Sequence, residues 1–188
     1  MYCIFGQVVN IIEALNKKER TFSFEFFPPR TPKGMVRMYK TARVFSELGA
    51  DFFSVTYGAG GSTSKSTLEI VKEFQGRFAK PAIHHYTCVK QSPNELRLTF
   101  DEMRRSDVRN ILAMRGDPPK DEPYYRPAKK KELKYGYELI EFIRKHYGDW
   151  FTIGVPGFPE GHILTPQKKL DSKYLKVKED AGAEFVIT

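Results

Sequence analysis

Six short runs dominated by aromatic and β-branched residues recur along this chain, and their spacing constrains its fold more than any other feature. They read "TFSFEFF" (21–27), "DFFSVTY" (51–57), "AIHHYTC" (82–88), "RNILAMR" (109–115), "FTIGVPG" (151–157) and "AEFVIT" (183–188). Their starts fall roughly every thirty residues, with amphipathic stretches between them, which is the βα rhythm of a parallel sheet. Leu68, Val71, Phe74 and Phe78 form one predicted helical stripe, and Leu96, Phe100 and Met103 another, at spacings of three and four. Ser92-Pro93-Asn94-Glu95 predicts a capping box with proline at the first helical position, and Thr165-Pro166 repeats the N-cap and N1 pairing. Gly182 is placed to stop the last helix. Six such strands fit an open doubly wound sheet or the first six strands of a (β/α)8 barrel, which typically takes about 250 residues. The barrel is favoured because no G-x-G-x-x-G follows the first strand, where a dinucleotide fold needs it. Polar residues also gather at the C-terminal ends of successive strands.

Composition excludes several classes. A chain of 188 residues holds one domain with a substantial core, and 40% hydrophobic with 29% charged residues is ordinary for a soluble globular protein. No apolar run approaches the roughly 18 residues of a membrane span. The start, "MYCIFGQVVNIIEALNKKER", lacks a basic lead and a cleavage site, so it reads as a mature helix. Two cysteines, Cys3 and Cys88, are too few for a disulfide scaffold and lack metal-finger spacing; they point to a reducing cytosol, and neither is expected to be a nucleophile. The net charge of +8 suits acidic ligands such as dinucleotides or polycarboxylates, or is simply a solvated basic surface. Nucleic-acid binding is disfavoured, since no aromatic and basic alternation forms a stacking platform. Between Asp117 and Tyr135 lies a proline- and lysine-rich loop carrying Lys129, Lys130 and Lys131, the one candidate for a mobile insertion.

The stretch "GAGGSTSKST" (58–67) resembles a P-loop only superficially. Ser64 stands where a glycine must precede Lys65, and Ala59 stands where the first glycine belongs. Alternation along the strands is more informative. It groups Ser23 with Glu25 against Phe22, Phe24 and Phe26, then Ser54 with Thr56 against Phe53 and Val55, and His85 with Ile83 and Thr87. Strand four ends in Arg115-Gly116-Asp117. Four consecutive strands thus finish with Glu25, Thr56, His85 and Asp117, at the rim where a barrel keeps its chemistry. A glutamate facing inward would be desolvated and suited to act as a general acid near neutral pH. Plainer readings exist: Glu25 facing solvent at a sheet edge, His85 as a hydrogen-bonded core residue, Asp117 opening a turn before Pro118. His84 and His146 read as structural or surface residues.

Together "FSFEFFPPRTPKG", "FFSVTYGAGGSTSKSTLEIV", "HHYTCVKQSPNELR", "NILAMRGDPP", "GFPEGH" and "LKVKEDAGAEFVIT" resemble the methylenetetrahydrofolate reductase family, in the family's order and over essentially the whole chain. The resemblance implies that 1–188 is a single, incomplete (β/α)8-barrel domain with non-covalent FAD at its C-terminal rim. It implies NAD(P)H as co-substrate and reduction of 5,10-methylenetetrahydrofolate to 5-methyltetrahydrofolate, in one-carbon and methionine metabolism in the cytoplasm, by a homo-oligomer or an assembly with another chain. By motif, Glu25 corresponds to the acid that protonates the bridging folate nitrogen, and Asp117 to an aspartate near flavin and pterin. Thr56, His85, Arg115, Gly116, Asp117, Tyr135, His162, Asp171 and Lys178 correspond to flavin-contacting positions, Lys178 as an anchor for the diphosphate.

The sequence departs from the family's pattern in places. Phe158 stands where tyrosine is common, keeping stacking but losing a hydroxyl, and Tyr174 occupies a cofactor position that is usually smaller and polar. The family's sixth strand continues past "IT" into a glutamine, and two further strands follow; this chain ends at Thr188, which leaves its first and sixth strands as expected edges. The alternative reading is a non-catalytic flavin-binding or regulatory module of the same fold.

Overall fold

A computed structural model of the chain describes residues 10–57, 64–117, 125, 132–161 and 168–188. Cys3, the 58–63 loop, Lys129 to Lys131, His162 and the Thr165-Pro166 pair lie outside them. The described elements alternate throughout: α1 (Ile11–Asn16), β1 (Ser23–Phe26), α2 (Pro32–Glu47), β2 (Phe52–Val55), α3 (Ser64–Phe78), β3 (Ala82–Thr87), α4 (Pro93–Arg105), β4 (Asn110–Met114), α5 (Gly136–Tyr147), β5 (Thr152–Pro156), α6 (Lys168–Asp180) and β6 (Phe185–Ile187). Each of the six expected strands is present, shortened by a residue or two at its ends.

The six strands lie in the order β1-β2-β3-β4-β5-β6, and the pairs β1–β2, β2–β3 and β5–β6 run parallel. A parallel neighbour is reached only by a crossover, here a helix. A doubly wound sheet reverses its strand order at a switch point; this order never reverses. The sequential order therefore decides between the two architectures in favour of the TIM-barrel type of α/β fold, with about six βα units.

Contacts divide the chain into two compact units, residues 1–85 with 103–110, and residues 86–102 with 111–188. The first is built on phenylalanine. Phe24 stacks on Phe45 of α2 at 3.9 Å, and Phe74 of α3 meets Phe26 at 5.0 Å and Phe53 at 5.2 Å edge-on. Such pairs add about 0.5–1.5 kcal/mol each to the burial of their rings. Leu68, Val71 and Phe74 are buried, as their stripe predicts, with Phe78 half-buried beside them. Thr31 caps α2 by accepting from the Gly34 N–H at 3.1 Å, and Pro32 opens the helix.

In the second unit Phe100 packs against Tyr86, Tyr147 and Phe151. The capping box is present: the Ser92 N–H donates to Glu95 Oε2 at 2.7 Å and the Glu95 N–H to Ser92 Oγ at 3.4 Å. Gly182, at φ +110°, ends the last helix as expected. The Arg144 guanidinium staples that turn, donating to the carbonyls of Gly182, Phe151 and Gly148 and to the Glu184 carboxylate.

Candidate active site

The register of the first three strands places Glu25. It lies opposite Ser54, and Ser54 opposite Ile83. Paired residues of parallel strands project to one face, which His85, two residues beyond Ile83, shares. Phe24, Phe26, Phe53, Val55 and His84 take the other face, which α2 and α3 cover through the ring contacts above. The alternation read from sequence therefore holds on all three strands. His84 is fully buried on the helix side, in keeping with a structural role, and His146 is exposed against the Phe142 ring.

Strands two apart in a sheet stand about 10 Å from each other, yet Glu25 Oε2 comes to 3.5 Å from His85 Nε2. The approach is diagonal, since Ser54 stands level with Glu25 and with Ile83, two residues before His85. The two side chains differ sharply in burial, 43% exposed for Glu25 and 7% for His85. Water reaches the carboxyl, so the desolvation expected of an inward glutamate is not realised here. His85 is desolvated instead, and burial pushes its imidazole from 6.5 down to about 4. A carboxylate beside it favours the charged form, but a half-exposed one is screened, so burial prevails. Nε2 makes no hydrogen bond among the described residues. The contact is thus between a carboxyl and a neutral imidazole.

Thr56, half-buried at the end of β2, donates its N–H to the Phe26 carbonyl at 2.9 Å, and its own carbonyl accepts from the Thr67 hydroxyl at 3.2 Å. That bond ties the strand end to the helix following the glycine-rich loop.

In the second unit the ends of β3 and β4 run together, the Cys88 N–H donating to the Met114 carbonyl at 3.3 Å and the Val89 N–H to the Arg115 carbonyl at 3.0 Å. Gly116 follows at φ +88°, and a Cβ there would stand 2.8 Å from both Thr87 Cβ and Val89 Cγ1. Glycine is required on both counts. It carries the exposed Arg115 and Asp117 on either side, beside a buried Thr87 hydroxyl that has no hydrogen-bond partner among the described residues. Burial pushes the Cys88 thiol up to about 12, so it holds no thiolate at neutral pH, as its sequence context implied.

Tyr135 is the N-cap of α5, its N–H donating to Glu138 Oε2 at 3.1 Å; its ring stacks on Tyr137, with the Lys134 ammonium 4.8 Å from the ring centre. Lys178 reaches back from α6 to the Pro156 carbonyl at 2.9 Å, which holds its ammonium at the C-terminal end of β5. Burial lowers its pKa, and the charge of Asp171, seven residues earlier, opposes that effect. Phe158 and Tyr174 are exposed. Among the described residues no group of three or more His, Cys, Asp or Glu is arranged to hold a metal. Sequence reasoning missed the Glu25–His85 contact; the signal for it was the strand register, which local alternation does not contain.

These strands and rim residues define an α/β chain of the TIM-barrel type with an acid at the end of its first strand. One solved structure, a phosphonopyruvate hydrolase in complex with oxalate and Mg++, supports the fold alone: 12% identity and a TM-score of 0.59, over 94% of this chain and 60% of that one. The sequence profile of methylenetetrahydrofolate reductase matches residues 10–188. The chain belongs to the methylenetetrahydrofolate reductase family. It is 38% identical to methylenetetrahydrofolate reductase 1 of Schizosaccharomyces pombe over 92% of this chain and 28% of that protein. It is 34% identical to methylenetetrahydrofolate reductase (NADH) 1 of Arabidopsis thaliana, over 97% and 32% of the two chains, and 36% identical to 5,10-methylenetetrahydrofolate reductase of Escherichia coli, over 88% and 53%. The chain thus spans about a third to a half of the length of these curated relatives.

Proposed function

We propose that this chain carries the catalytic chemistry of an FAD-dependent reductase that converts 5,10-methylenetetrahydrofolate to 5-methyltetrahydrofolate with NAD(P)H. The observation that carries the reading is Glu25, the motif's acid, held at 3.5 Å from a buried neutral imidazole in a chain of this family. The described residues fit a flavin nucleotide. In the second unit the buried Thr87 Oγ1 lacks a hydrogen-bond partner among the described residues, Gly116 keeps a strand end free of a side chain, and Lys178 offers an ammonium at the end of β5. Thr56, His85, Arg115, Gly116, Asp117, Tyr135, His162, Asp171 and Lys178 would hold it, with Phe158 and Tyr174 as contacts peculiar to this sequence. Bound FAD would supply the hydride chemistry. Glu25 would deliver a proton to the bridging folate nitrogen, and Asp117 would favour the cationic folate that follows. Lys178 and Asp171 would orient the cofactor's phosphates.

The test is the visible spectrum of the purified protein after FAD addition and removal of free flavin, followed by anaerobic NADH or NADPH and then methylenetetrahydrofolate. Retained flavin that bleaches with nicotinamide and recovers with folate is expected. Glu25→Gln should bleach normally and fail to recover; equal loss of both half-reactions would sink the role of Glu25. Retained flavin with no folate turnover in the unmodified chain would favour a flavin-binding module instead. The reading carries with it a cytoplasmic homo-oligomer or a further chain, which light scattering of the purified protein addresses.

A further inference from the structure

An acid that must protonate one particular nitrogen needs a direction as well as a proton, and a glutamate has three rotatable bonds with which to lose it. Glu25 is 43% exposed, so close packing does not fix its carboxyl. Its carboxyl instead meets Nε2 of His85 at 3.5 Å. We propose that His85 is a positioning residue for Glu25, its imidazole holding the carboxyl from two strands away. The inference rests on reading Glu25 as the proton donor.

Three features suit His85 to this task. It is a rigid ring locked by burial, only 5% exposed. Its Nε2 has no competing hydrogen bond among the described residues. It is also neutral at working pH, since burial holds its pKa near 4. A neutral imidazole places the carboxyl without drawing it into an ion pair.

Two measurements test the proposal. In the flavin-free protein, the 15N resonance of His85 Nε2 should move when Glu25 is replaced by Gln and stay in place in a remote control, Glu179→Gln. In the flavin-loaded protein, His85→Ala should slow folate reduction by roughly ten- to a hundredfold, the scale expected for a misplaced catalytic group, and by more than it slows flavin reduction by NADH, both rates being taken per bound flavin because His85 also stands among the residues proposed to hold FAD. His85→Gln, whose amide reaches the same place, should recover most of that loss. An Nε2 resonance indifferent to Glu25 overturns the pairing, and equal loss in both half-reactions overturns the positioning role. If the unmodified chain reduces flavin but no folate, the proposed function fails, and the resonance still decides whether His85 holds Glu25.

Discussion

At the scale of single residues, His85 and Glu25 show how two polar side chains on one sheet face come to opposite states. The imidazole is desolvated and the carboxyl is not, although both project from the same face. The consequence is measurable in stability. His85 titrates near 4 when folded and near 6.5 when unfolded, so between those values the unfolded chain binds more protons. Its contribution is therefore complete above about pH 6.5 and is lost as pH falls through that window, by at most about 3 kcal/mol. Urea unfolding of the protein at pH 4.5 and pH 7 reads this difference, and His85→Gln should flatten it. An equal slope in the variant would show that the pH dependence comes from elsewhere.

At the scale of elements, the caps were legible because they are local: Ser92 and Glu95 sit three residues apart and need nothing beyond their own turn. The need for Gly116 was not. Its tripeptide reads equally well as a turn, and only the approach of β3 leaves no space for a Cβ. Gly116→Ala imposes a left-handed backbone on an L residue and drives a methyl into Thr87 and Val89. A loss of about 1–3 kcal/mol is expected, together with a shift of Arg115 and Asp117. Thermal unfolding and FAD affinity should both fall; an unchanged Tm would mean that the strand ends lie further apart. Arg144 belongs to the same scale, since one guanidinium serves three carbonyls in the two connections that flank β5 and α6.

At the scale of the whole molecule, stability depends on few interactions, because folded chains of this size are stable by only about 5–15 kcal/mol. Phe74 is completely buried and touches Tyr39, Phe26, Phe53 and Phe78. Phe74→Ala should cost about 3–5 kcal/mol, a large share of that total. The midpoint of denaturant unfolding should fall with little change in slope, and a midpoint shift worth under about 1 kcal/mol would mean that the core refills the space.

The sequence by itself determined the six strands, the buried stripes of α3 and α4, the faces to which the residues of the first three strands point and the family to which the chain belongs. All of these follow from short-range periodicity or from motifs contiguous in the chain. Only the tertiary structure decided the strand order, the meeting of Glu25 with His85, and the clasp of Lys178 on the Pro156 carbonyl. The physical reason is the same for each. Parallel strands are joined by helical crossovers that leave their register free locally, so it is packing across the sheet that decides which distant side chains come within reach.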